Sequence, residues 1–92
     1  MVVKVATPVE IVDGCSFRLR TDQIVILEGC TSPPKNSEKG QKAMKKLEGL
    51  VFKKKVSYES HNIDTFGRSQ AQVNLDDGTD VNKIMKEFID SL

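Results

Sequence analysis

The order of two apolar periodicities along the chain constrains its fold more than any other feature. The first third alternates apolar and polar residues with the two-residue period of β-strands, which predicts three strands. Pro8 is predicted as a break or an edge position, because proline cannot donate to a strand ladder. The apolar positions of these strands are Val3, Val5, Val9, Ile11, Phe17, Leu19 and residues 24–27.

Two later segments instead have the 3.6-residue period of amphipathic helices. Ser37 and Asp80 precede them and are suited to cap them. Two further alternating segments lie between the helices, one around Val56 and Tyr58 and one ending near Leu75, with a loop or hairpin connection at residues 61–68. Three strands, a helix, two strands and a C-terminal helix predict one α+β domain over residues 1–92, a five-stranded OB-type barrel.

Charge is unevenly distributed along a chain whose formal net charge is only +1. Residues 35–55 hold eight lysines against two glutamates, whereas residues 76–92 hold five acids against two lysines. The basic segment could attract a polyanion, or it could be an ordinary solvated helix face. We find no signal-peptide pattern and no apolar run of membrane-spanning length, so we expect a soluble, cytoplasmic monomer or weak dimer without a membrane partner. An export signal missing from this sequence would change the expected location.

Several motifs in succession resemble the staphylococcal nuclease-like (thermonuclease) family. They are "VDG" followed by "SFRL", "LEG" with a later proline, "GQKAMKKLEGLV", "IDTFGR" and "LDDGTDVNK". The resemblance covers roughly Val9 to Ile89 and implies the same barrel, first helix, arginine-bearing loop and second helix.

The resemblance also implies that the family's catalytic equipment is largely absent. Active members hold calcium with carboxylates from two loops, and the matching positions here are Cys15 and Thr31. Ile26 stands where the family has a phosphate-binding arginine, and Pro34 where it has the general base. The second arginine is retained as Arg68. These replacements predict no intact catalytic site, no metal site and no cofactor, because calcium needs several oxygen ligands and proline accepts no proton.

Two functions remain open at this point. The first is a catalytically inactive module that binds single-stranded nucleic acid or another protein, with Phe66 as the one plausible stacking residue. Arg68 could contact phosphate there, or simply pair with Asp64. The alternative is a calcium-dependent phosphodiester hydrolase with residual or altered activity. The candidate phosphate contacts are Arg18, Arg20, Lys39, Lys42 and Arg68.

The two cysteines allow several interpretations. In the family the two calcium loops face each other, so the resemblance implies that Cys15 and Cys30 could be near enough for a disulfide. They could instead be reduced side chains that fill space, or two ligands of a metal or redox site with His61. We expect His61 itself to be an exposed loop residue.

Overall fold

A computed structural model describes residues 3–92. Its elements, in chain order, are β1 (Val3–Ala6), β2 (Pro8–Asp13), β3 (Ser16–Leu19), β4 (Ile24–Leu27), α1 (Glu38–Val51), β5 (Val56–Ile63), β6 (Ser69–Leu75) and α2 (Val81–Asp90). Both predicted caps are confirmed, since Ser37 Oγ accepts from Gly40 N–H and Asp80 accepts from Lys83 N–H. Neither helix in the described part of the chain is long and apolar enough to cross a membrane.

The six strands form one sheet in the order β1-β5-β6-β4-β3-β2, with all neighbours antiparallel except β4 and β6. The two end strands, β1 and β2, are separated only by Thr7. The sheet must therefore curl until its ends meet, which confirms the OB-type barrel.

The first strand was predicted as one of five, but it is divided into β1 and β2. Val3–Ala6 pairs with β5, while Pro8–Asp13 pairs with β3. The chain changes partners at Thr7–Pro8, where proline supplies no N–H to continue the first ladder. The predicted connection at residues 61–68 is also shorter than expected, because β5 continues to Ile63 and only residues 64–68 form the loop.

The core lies inside the barrel and beneath the two helices. The helix α1 packs against β2 and α2, and α2 packs against β6, as its apolar stripe predicts. Val81 and Met85 of α2 are fully buried. The largest fully buried side chains of the strands and of α1 are Pro8, Phe17, Val25, Leu27, Leu47, Val51, Val56 and Val73.

Candidate functional site

Two loops meet at the start of α1, and hydrogen bonds hold them together. The first is the turn at residues 13–15 and the second spans residues 28–36. Gly14 N–H donates to Ser32 Oγ at 2.9 Å, and that hydroxyl donates to the Pro33 carbonyl at 3.0 Å. Gly14 has no room for a side chain, because a Cβ would lie 2.5 Å from Ala43 Cβ of α1. The glycine of the "VDG" motif is therefore needed for close packing of turn, loop and helix.

A disulfide between Cys15 and Cys30 joins the same two loops covalently. Their Cα atoms are 6.0 Å apart, within the usual range for a disulfide. Cys15 is 2% exposed, and Cys30 packs against the core around it. No cysteine in the sequence is left free, so the reduced pair and the thiol site with His61 are both wrong for this structure.

Two further replaced positions, Ile26 and Pro34, carry no carboxylate; one lies in a strand and the other at the end of a loop. Ile26 lies half-buried in β4 and is in register with Ser16 and Gln70. The carbonyl of Pro34 accepts from Ser37 N–H at 3.0 Å and from the Ser37 hydroxyl at 2.6 Å, so it ends the loop against the cap of α1. Gly40 permits this approach, because a Cβ there would collide with the Pro34 carbonyl oxygen.

These residues do not fit a calcium ion. Calcium takes six to eight oxygen ligands, with carboxylates prominent among them. The loops offer a disulfide, the exposed Thr31 hydroxyl, and a Ser32 hydroxyl that is already engaged with Gly14 and Pro33. Within residues 3–92, no three His, Cys, Asp or Glu side chains converge in a way that could hold a metal ion.

The loop before β6 is organised around Asp64 and carries the retained arginine. One oxygen of Asp64 accepts from the N–H groups of Phe66 and Arg68, at 2.9 and 3.0 Å, and the other accepts from Arg68 Nε at 2.7 Å. Burial raises the pKa of Asp64, but these hydrogen bonds together outweigh it and the pKa is lowered from its usual value. Of the two roles considered for Arg68, the structure shows the pairing with Asp64.

Phe66 projects from this loop into solvent and is 82% exposed. The Arg68 guanidinium lies 5.2 Å from the centre of its ring. Gln23 Nε2, from the turn before β4, donates to the Gly67 carbonyl at 2.8 Å and so fixes the loop to the barrel. An exposed aromatic ring and a stacked cation thus stand on an anchored loop.

The five predicted phosphate contacts are dispersed, and three of them are paired with acids. Arg18 lies 3.3 Å from Glu10 and 3.7 Å from Asp22. Its buried Nε–H makes no hydrogen bond to any described residue. Lys42 lies 3.4 Å from Glu38 on α1. The structure brings two of the five onto one outward sheet face. These are Arg18 and Arg68, while Lys39 and Lys42 lie on α1 and Arg20 lies in the turn after β3.

Register explains why Arg18 and Arg68 share that face. Arg18 pairs with Ile24, and Ile24 and Arg68 directly precede the paired residues Val25 and Ser69. Val25 and Ser69 are buried, so their predecessors point outward, because successive side chains in a strand alternate between faces. With strands about 4.8 Å apart, the Cα atoms of the two arginines are separated by roughly 10 Å across Ile24.

His61 forms a cluster that sequence reasoning missed. Its Nδ1 lies 2.8 Å from Glu28 and its Nε2 3.1 Å from Glu59. The hydrogen bond with Glu28, and then that with Glu59, raises the pKa of His61. His61 was expected in a loop, but it lies in β5. The two-residue spacing of Glu59 and His61 could have revealed one contact, whereas nothing in the sequence indicated Glu28.

A family model describing staphylococcal nuclease homologues matches residues 18–87, which is most of the chain. The chain belongs to the staphylococcal nuclease homologue family. No curated protein sequence matches it significantly. The match includes Ile26, Thr31, Pro34 and Arg68, whereas Cys15 lies three residues before it. The equivalence of Cys15 to a calcium-ligand position of the family therefore stays a prediction from the resemblance.

Proposed function

We propose that this nuclease homologue is a catalytically inactive module that binds single-stranded nucleic acid. The absence of catalysis is inferred from the loops at the start of α1. They are closed by the Cys15–Cys30 disulfide, and the side chain of Pro34 cannot accept a proton. A general base alone is worth about 10²- to 10⁴-fold in rate, and a metal ion stabilises charge in the transition state as well.

The observation that carries the binding proposal is the exposed ring of Phe66 beside the Arg68 guanidinium. Bases stack on aromatic rings without regard to sequence, while arginine donates to phosphate. OB-type barrels bind oligonucleotides on the face of their second and third strands and on the loop between the fourth and fifth. In this chain these are β3, β4 and the loop at residues 64–68, where Arg18 and Arg68 lie.

Neighbouring acids limit the strength expected of this surface. Glu10 and Asp22 lie beside Arg18, and Asp64 beside Arg68, so the local charge is almost balanced. Each phosphate neutralised on a single strand contributes about −0.7 to the slope of log affinity against log salt. We expect only one or two such contacts, hence weak binding with a shallow salt dependence.

Fluorescence anisotropy with an oligothymidylate of about 12 nucleotides tests the proposal, since one OB fold covers about 4–16 nucleotides. Phe66→Ala should weaken binding by about 5- to 150-fold, because stacking contributes about 1–3 kcal/mol per base. Arg68→Gln should also weaken binding and reduce the salt slope. Lys86→Gln, on the exposed side of α2, provides the charge-matched control and should leave affinity unchanged.

Absence of binding at low salt, or equal affinity in the Phe66→Ala and Lys86→Gln variants, would overturn the proposal. The hydrolase alternative is tested separately by incubating single-stranded DNA with calcium or manganese. We expect equally negligible cleavage by the unmodified protein and by Arg68→Ala. Cleavage that disappears in the variant would instead establish residual nuclease activity.

We also infer that the domain functions in an oxidising compartment. Structural disulfides persist in such compartments and are rare in the reducing cytosol, so the Cys15–Cys30 bond argues against the expected cytoplasmic location. Alkylating thiols before lysis of the native cells, followed by mass spectrometry, tests this directly. The disulfide should exclude the alkylating reagent from both cysteines, and a doubly alkylated protein would contradict the inference.

A further inference from the structure

The strand β1 presents an edge that is free in the described part of the chain. Val3–Ala6 pairs with β5 on one side, and no described residue pairs on the other. A pocket of about 560 Å³ lies between β1, Tyr58 of the paired strand β5, and the turn after β3. Free backbone N–H and C=O groups on an edge can accept an added strand. The pocket is lined by Lys4, Val5, Ala6, Thr7, Leu19, Arg20, Thr21 and Tyr58.

The charge of this pocket has one sign. Lys4 and Arg20 both line it, and neither forms an ion pair with another residue among 3–92. Its lining contains no acidic side chain. Both residues are exposed, and unpaired cations at the rim of a groove favour a ligand that brings carboxylates.

The opposite face of β1 is apolar and exposed. Val3 and Val5 are in register with Glu59 and Ser57 on the outer side of the sheet, and they are 57% and 58% exposed. Lys4, between them, is in register with the buried Tyr58 and so lies on the other side. A strand added to β1 would therefore meet cations with one set of alternate side chains and valines with the other.

We propose that β1 is a docking edge for an extended acidic segment of a partner protein, one in which acidic and β-branched apolar residues alternate. Backbone hydrogen bonds to Val3–Ala6 provide affinity. Carboxylates that face Lys4 and Arg20, and apolar side chains that face Val3 and Val5, provide specificity. A second copy of this chain fits less well, because an antiparallel β1–β1 pair centred on Lys4 places two lysines opposite each other.

Nuclear magnetic resonance with ¹⁵N-labelled protein tests the proposal, using a short capped peptide in which Glu and Val alternate. We expect the amides of residues 4–7 and 19–21 to shift on titration. A peptide with Lys in place of Glu, and one of the same composition with Glu and Val in separate blocks, should cause little shift. The double variant Lys4→Glu/Arg20→Glu should bind the acidic peptide about tenfold or more weakly and gain affinity for the basic one. Lys83→Glu/Lys86→Glu, on exposed positions of α2, is the charge-matched control.

Equal shifts with acidic and basic peptides, or shifts confined to the lysines of α1, would overturn the proposal. It would also fail if oligothymidylate displaced the peptide from the same amides, since the pocket would then be a general polyanion site. Concentration-dependent dimerisation through β1, measured by sedimentation, would replace the partner with a second copy. None of these outcomes depends on Phe66 or Arg68, so nucleic-acid binding stands or falls separately.

Discussion

Removal of the Cys15–Cys30 disulfide should lower the free energy of unfolding by about 3 kcal/mol. The bond joins residues separated by 15 positions, and the loop between them contains β3 and β4. In the chain-entropy account, closing a loop of this size restricts the unfolded chain enough to give about 3 kcal/mol. A domain of this length shifts its melting temperature by about 4–8 °C per kcal/mol, so reduction should lower it by about 12–24 °C.

Urea unfolding, with and without a phosphine reductant, measures the effect while both side chains stay in place. Reduction should lower the midpoint and increase the m-value, because an unfolded chain without the cross-link exposes more surface. Thiol counting should find no thiol before reduction and two afterwards. The double variant Cys15→Ala/Cys30→Ala is the matched control, and reductant should not change its midpoint. Equal midpoints for the oxidised and reduced protein, after mass spectrometry has verified the bond, would show that the disulfide does not stabilise the fold.

Two further predictions concern side chains that connect distant parts of the barrel. Asn82→Ala should lower the free energy of unfolding, measured by chemical denaturation, by about 2–4 kcal/mol, because Asn82 accepts from Val73 N–H and donates to the carbonyls of Glu28 and Ala71. The exposed control Lys83→Ala should lower it by less than about 0.5 kcal/mol, and an equally small loss in Asn82→Ala would contradict the prediction. The raised pKa of His61 in the folded state means that its interactions stabilise the protein fully below the unfolded pKa near 6.5 and are lost as pH rises through the folded pKa. Unfolding measured across that range should show a fall in stability that His61→Gln lacks, and identical pH profiles would show that the His61 cluster with Glu28 and Glu59 does not stabilise the fold.

Local signals predicted the elements whose partners lie nearby in sequence. Ser37 and Asp80 cap their helices by accepting from the N–H groups of residues three positions later, so both caps can be predicted from local sequence. Residues 24–27 form β4 with the predicted bounds, because a short continuous apolar run suits a strand at the centre of a sheet. The pairing of Arg68 with Asp64 is equally local, since the two residues are four positions apart.

Features that depend on long-range geometry were not predictable in the same way. His61 and Glu28 are 33 residues apart and meet only because β4 and β5 are both neighbours of β6. The second half of β5 has no apolar alternation, since residues 61–63 are exposed and the ladder is irregular between Ser60 and Asn62. Val3 and Val5 showed the alternation of a strand, yet they face outward instead of into the core.

Calorimetric titration with calcium tests the proposal that a covalent link joins the two loops that hold calcium in active members of the family. We expect no saturable heat of binding to the oxidised protein, because a disulfide, Thr31 and an engaged Ser32 offer calcium no carboxylate. A one-site isotherm in the micromolar range would contradict it.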